Sequence, residues 1–207
     1  MELKDALGLG APHLSLYELT FKPATPFGLA VSRGDMVPMD DDQQADLYEL
    51  TQSLTSAAGL PAYEISNHAA SKDHQSRHNL IYWRSGDWIG VGPGAHGRLT
   101  VSGERYASEA ERRPEAYMAN LQALQNGWGD AARLQPLDIA REIFSMGLRA
   151  AEGVDLRRVE VVAGRKVARD KLSVFVQNGW VEISGAELRL TASGRLLADA
   201  LTAELSP

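Results

Sequence analysis

One short run of residues combines a possible metal ligand with two large aromatic rings. It is His78-Asn-Leu-Ile-Tyr-Trp83. A histidine nitrogen can fill an axial position on the metal of a flat macrocycle, and aromatic rings can stack on such a macrocycle. The same composition is typical of an aromatic cluster that closes one end of a sheet, because buried aromatic residues are ordinary core. The run therefore indicates either a site for a metal-bearing ring or a packed cluster.

Histidines are concentrated in the same part of the chain, at His68, His74, His78 and His96. His74 and His78 would share one face of a helix, as two imidazole ligands of zinc do. No metalloprotease glutamate accompanies them, and exposed or capping histidines are more common than ligands. The pattern favours surface histidines over a zinc site.

A glycine-rich segment follows, Gly90-Val-Gly-Pro-Gly-Ala-His-Gly97. Glycines let the backbone approach a ligand closely, and consecutive amides can bind an anion. Pro93 interrupts a dinucleotide fingerprint, and the absence of Gly-Lys-Ser/Thr excludes a Walker A loop. The alternative is a tight turn with close packing.

Two carboxylates, Glu18 and Glu64, lie in or near predicted strands at residues 13–20 and 62–66. The helix between these strands is predicted to begin at Asp40–Asp42 and to end before Gly59. Strand, helix and strand predict a βαβ unit with parallel strands, whose carboxyl ends bind ligands. Salt bridges or caps explain the two glutamates equally well.

The second half of the chain predicts a different architecture. A hairpin is expected around Ser102-Gly103, and a helix should run from Pro114 to the glycines at Gly127 and Gly129. Beyond Leu134 the pattern predicts helices over residues 139–146, 155–163 and 165–177. A hairpin at 180–183 and 187–190 and a last helix capped by Thr191 follow. This order resembles a winged-helix domain, with a boundary near residues 127–136.

Basic residues cluster in the predicted winged helix, at Arg157, Arg158, Arg165, Lys166, Arg169 and Lys171. They would allow DNA binding through a recognition helix. Acidic residues are interleaved with them, at Glu160 and Asp170, and the whole chain has a net charge of −6. A solvated charged face is therefore favoured.

Composition excludes several classes of site. The 207 residues include no cysteine, so no disulfide, zinc–thiolate site or Cys-ligated iron–sulfur cluster can form on them. Hydrophobic residues make up 44% and charged residues 23%, as in ordinary globular proteins. No signal peptide or membrane span is predicted, because no stretch approaches about 18 apolar residues. A cytoplasmic protein is expected.

The ordered motifs resemble the HemW family of radical-SAM haem chaperones, which is related to oxygen-independent coproporphyrinogen III oxidase. The segments that carry the resemblance are 13–20, 23–27, 63–69, 76–83 and 90–96, with 141–149, 178–181 and 190–195 matching the family's C-terminal domain. Together they extend over essentially the whole chain.

The resemblance implies an α/β fold in two domains. Residues 1–127 would be the C-terminal part of a partial (βα)6 radical-SAM barrel, and residues 128–207 a mainly α, winged-helix-like domain. The family's CxxxCxxC motif, its [4Fe–4S] cluster and roughly four barrel strands would belong to a missing N-terminal half. We therefore expect the chain to associate with that half or with itself, through an open strand edge.

The resemblance also implies site residues. His78, Asn79, Tyr82 and Trp83 occupy the family's HNxxYW signature, which is associated with haem. Some members have cysteine where Ser76 stands here, so His78 becomes the expected iron ligand. Residues near S-adenosylmethionine or substrate would be Glu18, Thr20, Glu64, Asn67, Gly90, Gly92 and Gly94. No catalytic residue is assigned.

The function so implied is a haem chaperone that passes haem to acceptor proteins, with a peripheral membrane contact through the acceptor left open. The alternative is oxidative decarboxylation of coproporphyrinogen III by radical chemistry, which this chain alone lacks the cysteines to start. A winged-helix DNA-binding protein is the remote alternative, and no nucleic-acid partner is expected.

Overall fold

The computed structural model of the chain describes residues 2–124 and 128–207. These residues form two compact units, Met1–Gln75 and Ser76–Pro207. The predicted boundary at residues 127–128 falls within the second unit's span and stays a prediction. Gly127, the predicted end of the helix that starts at Pro114, lies outside the described residues.

The first unit combines helices with a two-stranded sheet. Its elements are α1 (Glu2–Gly8), β1 (His13–Ser15), α2 (Pro26–Ser32), α3 (Asp41–Ala57), β2 (Asn67–Ala69) and a 3₁₀ turn at Lys72–His74. The predicted helix start is confirmed, since the Asp40 carboxylate accepts a hydrogen bond from the Gln43 amide at 2.8 Å. Gly59, with φ +78°, follows the helix end in the left-handed conformation that glycine tolerates.

The predicted parallel βαβ unit is wrong, because β1 and β2 pair antiparallel, with His13 opposite Ala69. The predicted second strand, 62–66, is instead a tight reversal in which the Tyr63 amide donates to the Asn67 carbonyl at 3.1 Å. Because of this reversal, the residues that pair with β1 are those of β2, and they run antiparallel to β1. The predicted strand 13–20 correspondingly shortens to three residues.

The second unit begins with α4 (Arg77–Trp83) and a three-stranded antiparallel sheet of β3 (His96–Val101), β4 (Glu104–Ala110) and β5 (Trp128–Arg133). The predicted hairpin is confirmed. Ser102 and Gly103 both have positive φ, at 52° and 82°, which is the geometry of a type I′ turn. The helix α5 (Pro114–Leu124) connects β4 to β5, a strand that the sequence analysis did not predict.

The rest of the second unit is mainly helical, with a small sheet ordered β6-β8-β7. Its elements are α6 (Pro136–Gly147), β6 (Val154–Asp155), α7 (Leu156–Ala163), α8 (Arg169–Gln177), β7 (Val181–Ser184), β8 (Glu187–Leu190), α9 (Ala192–Leu196) and α10 (Ala198–Leu205). Phe144 of α6, Val159 of α7 and Leu188 of β8 are fully buried and form its core. Apolar area of this kind is the main source of its stability.

Three details of this region differ from the expectation. The strand β6 was not predicted from the sequence. The predicted helix 165–177 begins only at Arg169, because the preceding residues bind the Glu160 carboxylate through the Val167 amide at 3.2 Å. The predicted last helix is divided in two at Leu197, although its cap is confirmed by the Gly194 amide, which donates to the Thr191 hydroxyl.

Within the described residues, none of the helices combines the length and the apolar composition needed to cross a membrane.

Candidate functional site

The HNxxYW signature lies on the short helix α4. The helix begins after Ser76, whose hydroxyl accepts a hydrogen bond from the Asn79 amide at 3.2 Å. Residues four apart share a face of a helix, which places His78 beside Tyr82. The signature spacing is therefore a helical spacing.

His78 and Tyr82 form a hydrogen-bonded pair. The Tyr82 hydroxyl lies 2.9 Å from Nε2 of His78, and the two rings meet edge to face with centroids 4.8 Å apart. His78 is exposed and Tyr82 is half-buried. The imidazole is thus held at the surface by a neighbour that restricts its rotation, as a metal-binding histidine is held by an outer-shell partner.

A second aromatic contact connects Tyr82 to Trp88. Their rings are edge to face at 4.8 Å, and the Trp88 indole N–H donates to the His96 carbonyl at 3.0 Å. The guanidinium groups of Arg98 and Arg105 lie over the Trp88 ring, 5.7 and 5.9 Å from its centroid. Cations at such distances are attracted to the face of the indole.

A charged network supports these guanidinium groups. Arg98 binds the Glu142 carboxylate through Nη2 at 2.7 Å and through Nε at 3.0 Å, and Arg105 binds Asp87 at 3.2 Å. Burial lowers the pKa of Arg105, against the opposing effect of Glu142 and Asp87. Glu142 belongs to α6, so the network extends from the hairpin to that helix.

Trp88, Arg98, Arg105 and Glu142 were not predicted as site residues from the sequence. For the two arginines, the hairpin sequence would have allowed the prediction that they lie close together. A two-residue type I′ turn at Ser102-Gly103 fixes the register that places Thr100 opposite Arg105. Arg98 and Arg105 then lie on the same face of the sheet. Nothing in the sequence indicates that Glu142 would reach them.

The other two signature residues are placed differently. Asn79 is half-buried in the first turn of α4. Trp83 lines a cleft of about 230 Å³ beside Gly147 and Arg158, and its buried indole nitrogen has no hydrogen-bond partner among the described residues. The structure thus brings His78 and Tyr82 together and directs Trp83 to another surface of the second unit.

The remaining histidines do not extend this pair into a metal site. His74 closes the 3₁₀ turn and shares a 3.0 Å hydrogen bond with Ser71, and α4 starts three residues later. The zinc interpretation requires both histidines on one helix. His74 and His78 are on separate helical segments, so this requirement is not met. No group of three or more potential metal-ligating side chains is found in the described parts of the chain.

The glycine-rich segment packs against its own hairpin. A Cβ atom on Gly90 would lie 2.5 Å from the His96 carbonyl oxygen, which is too close for any other residue. The amide of Gly92 donates to the Tyr117 hydroxyl at 3.3 Å, and the amide of Gly94 donates to the Glu111 carbonyl at 2.9 Å. These contacts support the interpretation as a tight turn with close packing, since the amides of Gly92 and Gly94 already have protein partners.

The predicted site residues of the first unit divide into buried and exposed groups. Glu64 and Asn67 are 2% and 3% exposed. The Asn67 side-chain amide donates to Glu64, and the Ser15 hydroxyl donates to the Asn67 side-chain oxygen at 2.5 Å. Glu18 and Thr20 are exposed.

A cleft of about 630 Å³ opens in the first unit. It is lined by Glu18, Ser66 and His68 and by apolar side chains of the segment after β1 and of α3. Its volume is in the range of small-molecule sites, which are commonly apolar with a few polar groups. Of the four residues predicted in this unit, only Glu18 lines it.

Comparisons with known proteins show which proteins the chain is similar to. Residues 134–197 match the HemN C-terminal domain. The chain is 34% identical to the heme chaperone HemW of Escherichia coli, over 97% of this chain and 51% of that protein. It is 32% identical to the mitochondrial radical S-adenosyl methionine domain-containing protein 1 of Dictyostelium discoideum, with the same shares covered.

The fold agrees with this similarity. The coproporphyrinogen III oxidase HemN from Escherichia coli, described as a radical SAM enzyme, superimposes with a TM-score of 0.70 and 17% identity, over 99% of this chain and 50% of that one. A Cys-ligated cluster does not fit these 207 residues, because none is cysteine. The chain is homologous to HemW and to radical S-adenosyl methionine domain-containing protein 1 over nearly its whole length, matches the HemN C-terminal domain at residues 134–197, and spans about half the length of the curated relatives it matches.

Proposed function

We propose that this chain is part of a haem-handling protein that binds haem and passes it to acceptor proteins, and that haem docks on α4 where His78 and Tyr82 meet. The observation that carries the proposal is the exposed His78 imidazole, held by the Tyr82 hydroxyl at 2.9 Å. The relatives named heme chaperone support the choice of ligand.

In this proposal His78 ligates the haem iron through an imidazole nitrogen. A ligating histidine is normally oriented by a hydrogen bond to its second nitrogen, and Tyr82 is the group available for that bond. Asn79 and Trp83 complete the proposed haem-binding set. Trp83 lines a cleft with Gly147 and Arg158, so we expect its contribution to be smaller.

Haem titration tests the proposal. Wild-type chain should give a saturable Soret band, and His78→Ala should weaken binding at least about tenfold, because one coordinate bond to iron is lost. His74→Ala is the matched control, since His74 is an exposed histidine bonded to Ser71. An unchanged affinity and spectrum in His78→Ala would reject His78 as the ligand.

We further propose that the first unit receives a polypeptide equivalent to the part of HemW that this chain does not cover. β1 is an edge strand with β2 as its partner in a two-stranded sheet of the described residues. Beside it, Leu19 and Leu47 line the larger cleft although they are 62% and 48% exposed. Edge strands next to exposed apolar surface are sites for added strands.

Binding of that polypeptide can be measured directly. Analytical ultracentrifugation should detect a complex between this chain and the remaining half of the Escherichia coli relative, and Leu47→Lys should weaken it. Val161→Lys is the control, because Val161 is 80% exposed in the second unit. Self-association of the chain alone would indicate a second copy as the occupant. A stable monomer that binds nothing would reject the surface.

The oxidase alternative has a specific observation in its favour, the HemN C-terminal domain at residues 134–197. Chemistry of that kind would need a cluster from another polypeptide, because these residues include no cysteine. We propose no step for it. Assaying the complex described above for decarboxylation of coproporphyrinogen III separates the two activities.

Two further expectations stay proposals. Glu18, Thr20, Glu64, Asn67, Gly90, Gly92 and Gly94 are proposed neighbours of S-adenosylmethionine or substrate by family resemblance, and Glu18 is favoured because it lines the larger cleft. The proposed compartment is the cytoplasm, which cell fractionation would test against the mitochondrial location in the name of the Dictyostelium relative.

DNA binding is disfavoured by the ion pairs of the C-terminal region. Lys166 and Arg169 both bind Glu160 at 3.0 and 2.5 Å, and Lys171 binds Glu204. Phosphate contacts would have to compete with these carboxylates. A salt-dependent shift of duplex DNA in a gel would revive this alternative.

A further inference from the structure

Trp88 lies at the centre of a chain of contacts that starts at His78. The first link is the hydrogen bond between His78 and Tyr82, and the second is the edge-to-face contact of Tyr82 with Trp88 at 4.8 Å and 83°. Trp88 is outside the HNxxYW signature and has no assigned role. Its position behind Tyr82 makes it the residue that limits where the Tyr82 ring can lie.

The Trp88 ring is itself fixed by hydrogen bonds as well as by packing. Its main chain exchanges two hydrogen bonds with Arg98, at 2.7 and 2.9 Å, and its indole N–H donates to the His96 carbonyl. The Arg98 guanidinium lies over one part of the ring and is bound in turn by Glu142. These bonds determine both the backbone position and the orientation of the indole.

We propose that Trp88 is a positioning residue for the haem-binding site, acting through Tyr82 on His78. A fixed indole edge keeps Tyr82 in the rotamer that directs its hydroxyl to Nε2 of His78. That bond selects one orientation of the imidazole and one of its two tautomers. Without it, an exposed histidine would exchange freely between orientations and between tautomers. The orientation effect is independent of haem, and the effect on affinity rests on the proposed function.

The first test measures His78 without haem. In ¹⁵N-resolved NMR of the full chain, the wild-type His78 ring should show one dominant neutral tautomer, identified by its loss in His78→Ala. Trp88→Leu should shift it towards a mixture of the two neutral tautomers, and Trp88→Phe should restore most of the wild-type pattern. Trp180→Leu is the matched control, because Trp180 packs on Phe175 in the same unit.

The second test measures haem affinity in the same variants. Trp88→Leu should weaken haem binding about two- to tenfold, the range expected for loss of one aromatic pair. Trp88→Phe should stay within about twofold of wild type. A wild-type chain that binds no haem would reject the proposed function and leave the NMR result as the test of positioning.

Arg98→Gln provides a second route if Trp88→Leu does not fold, as judged by circular dichroism. It removes the guanidinium from the indole face and from Glu142 while leaving Trp88 in place. We expect a smaller shift of His78 in the same direction. Unchanged His78 signals in the folded variant, whether Trp88→Leu or Arg98→Gln, would overturn the proposal.

Discussion

The hydroxyl of Tyr82 lies 2.9 Å from Nε2 of His78, one helical turn away on α4. The contact follows from the sequence signature, because residues four apart on a helix share a face and the motif has His78 and Tyr82 at that spacing. Trp83 lines a cleft with Gly147 and Arg158. The proposed haem site is therefore centred on His78 and Tyr82 at the surface of the second unit.

Removing only the Tyr82 hydroxyl tests this pair. Tyr82→Phe keeps the ring contact with Trp88 but deletes the hydrogen bond, so haem affinity should fall by about two- to tenfold, in line with one hydrogen bond. The free energy of unfolding should change by less than about 1 kcal/mol, because His78 is exposed. Haem titration and urea unfolding measure the two quantities. Tyr117→Phe is the control, and equal affinities in both variants would contradict the prediction.

Asn67 tests whether the buried polar residues of the first unit are structural. Its side chain connects Ser15 to Glu64, and both of these groups would lose a partner in Asn67→Ala. We expect a loss of about 2–4 kcal/mol in the free energy of unfolding, because Glu64 would stay buried without its donor. Glu18→Gln at the exposed cleft edge should leave stability within about 0.5 kcal/mol. A stability loss equal to that of Glu18→Gln would favour a ligand-binding role for Asn67.

Glu160 should make stability depend on pH. Burial raises the pKa of its carboxyl, but hydrogen bonds from Lys166 and the Val167 amide, with the charge of Arg169, outweigh burial and leave the pKa below the ordinary value of a glutamate. A carboxyl whose pKa is lower in the folded state stabilises fully above its unfolded pKa. That stabilisation is lost as the pH falls through the lowered value.

Substitution by glutamine isolates this effect. Glu160→Gln should cost about 1–3 kcal/mol at pH 7, because charge-assisted bonds to a side chain that is 7% exposed are lost. The difference from wild type should shrink below about pH 4.5, measured by urea unfolding across pH. Glu187→Gln removes an exposed pair with Arg189 and should cost less than about 1 kcal/mol. A pH-independent cost for Glu160→Gln would contradict the charge argument.

Gly90 tests the packing interpretation of the glycine-rich segment. Gly90→Ala would place a methyl group 2.5 Å from the His96 carbonyl oxygen, so we expect a loss of about 1–3 kcal/mol in thermal or urea unfolding. Gly8→Ala is the matched control, because nothing lies within 4 Å of a Cβ atom there. A Gly90→Ala protein as stable as Gly8→Ala would show that the close approach does not hold in solution.

Local features of the chain were predictable where the determining interactions are themselves local. The cap at Asp40, the turn at Ser102-Gly103 and the cap at Thr191 each depend on residues within a few positions. The helical spacing of the signature in α4 is also local, although that helix was not predicted from the sequence. Strand direction is different, since the pairing of β1 with β2 depends on a reversal at 62–66 that resembles a strand in sequence.

The sequence by itself determined the family resemblance, the α/β class, the exclusion of cysteine-ligated cofactors and the candidate set His78, Asn79, Tyr82 and Trp83. Only the tertiary structure decided the antiparallel direction of β1 and β2, the burial of Glu64 and Asn67, and the support of Tyr82 by Trp88, Arg98 and Glu142. Caps, turns and helical spacing are set by neighbours along the chain. A contact between Arg98 and Glu142 joins residues 44 positions apart, and it depends on how the intervening elements pack.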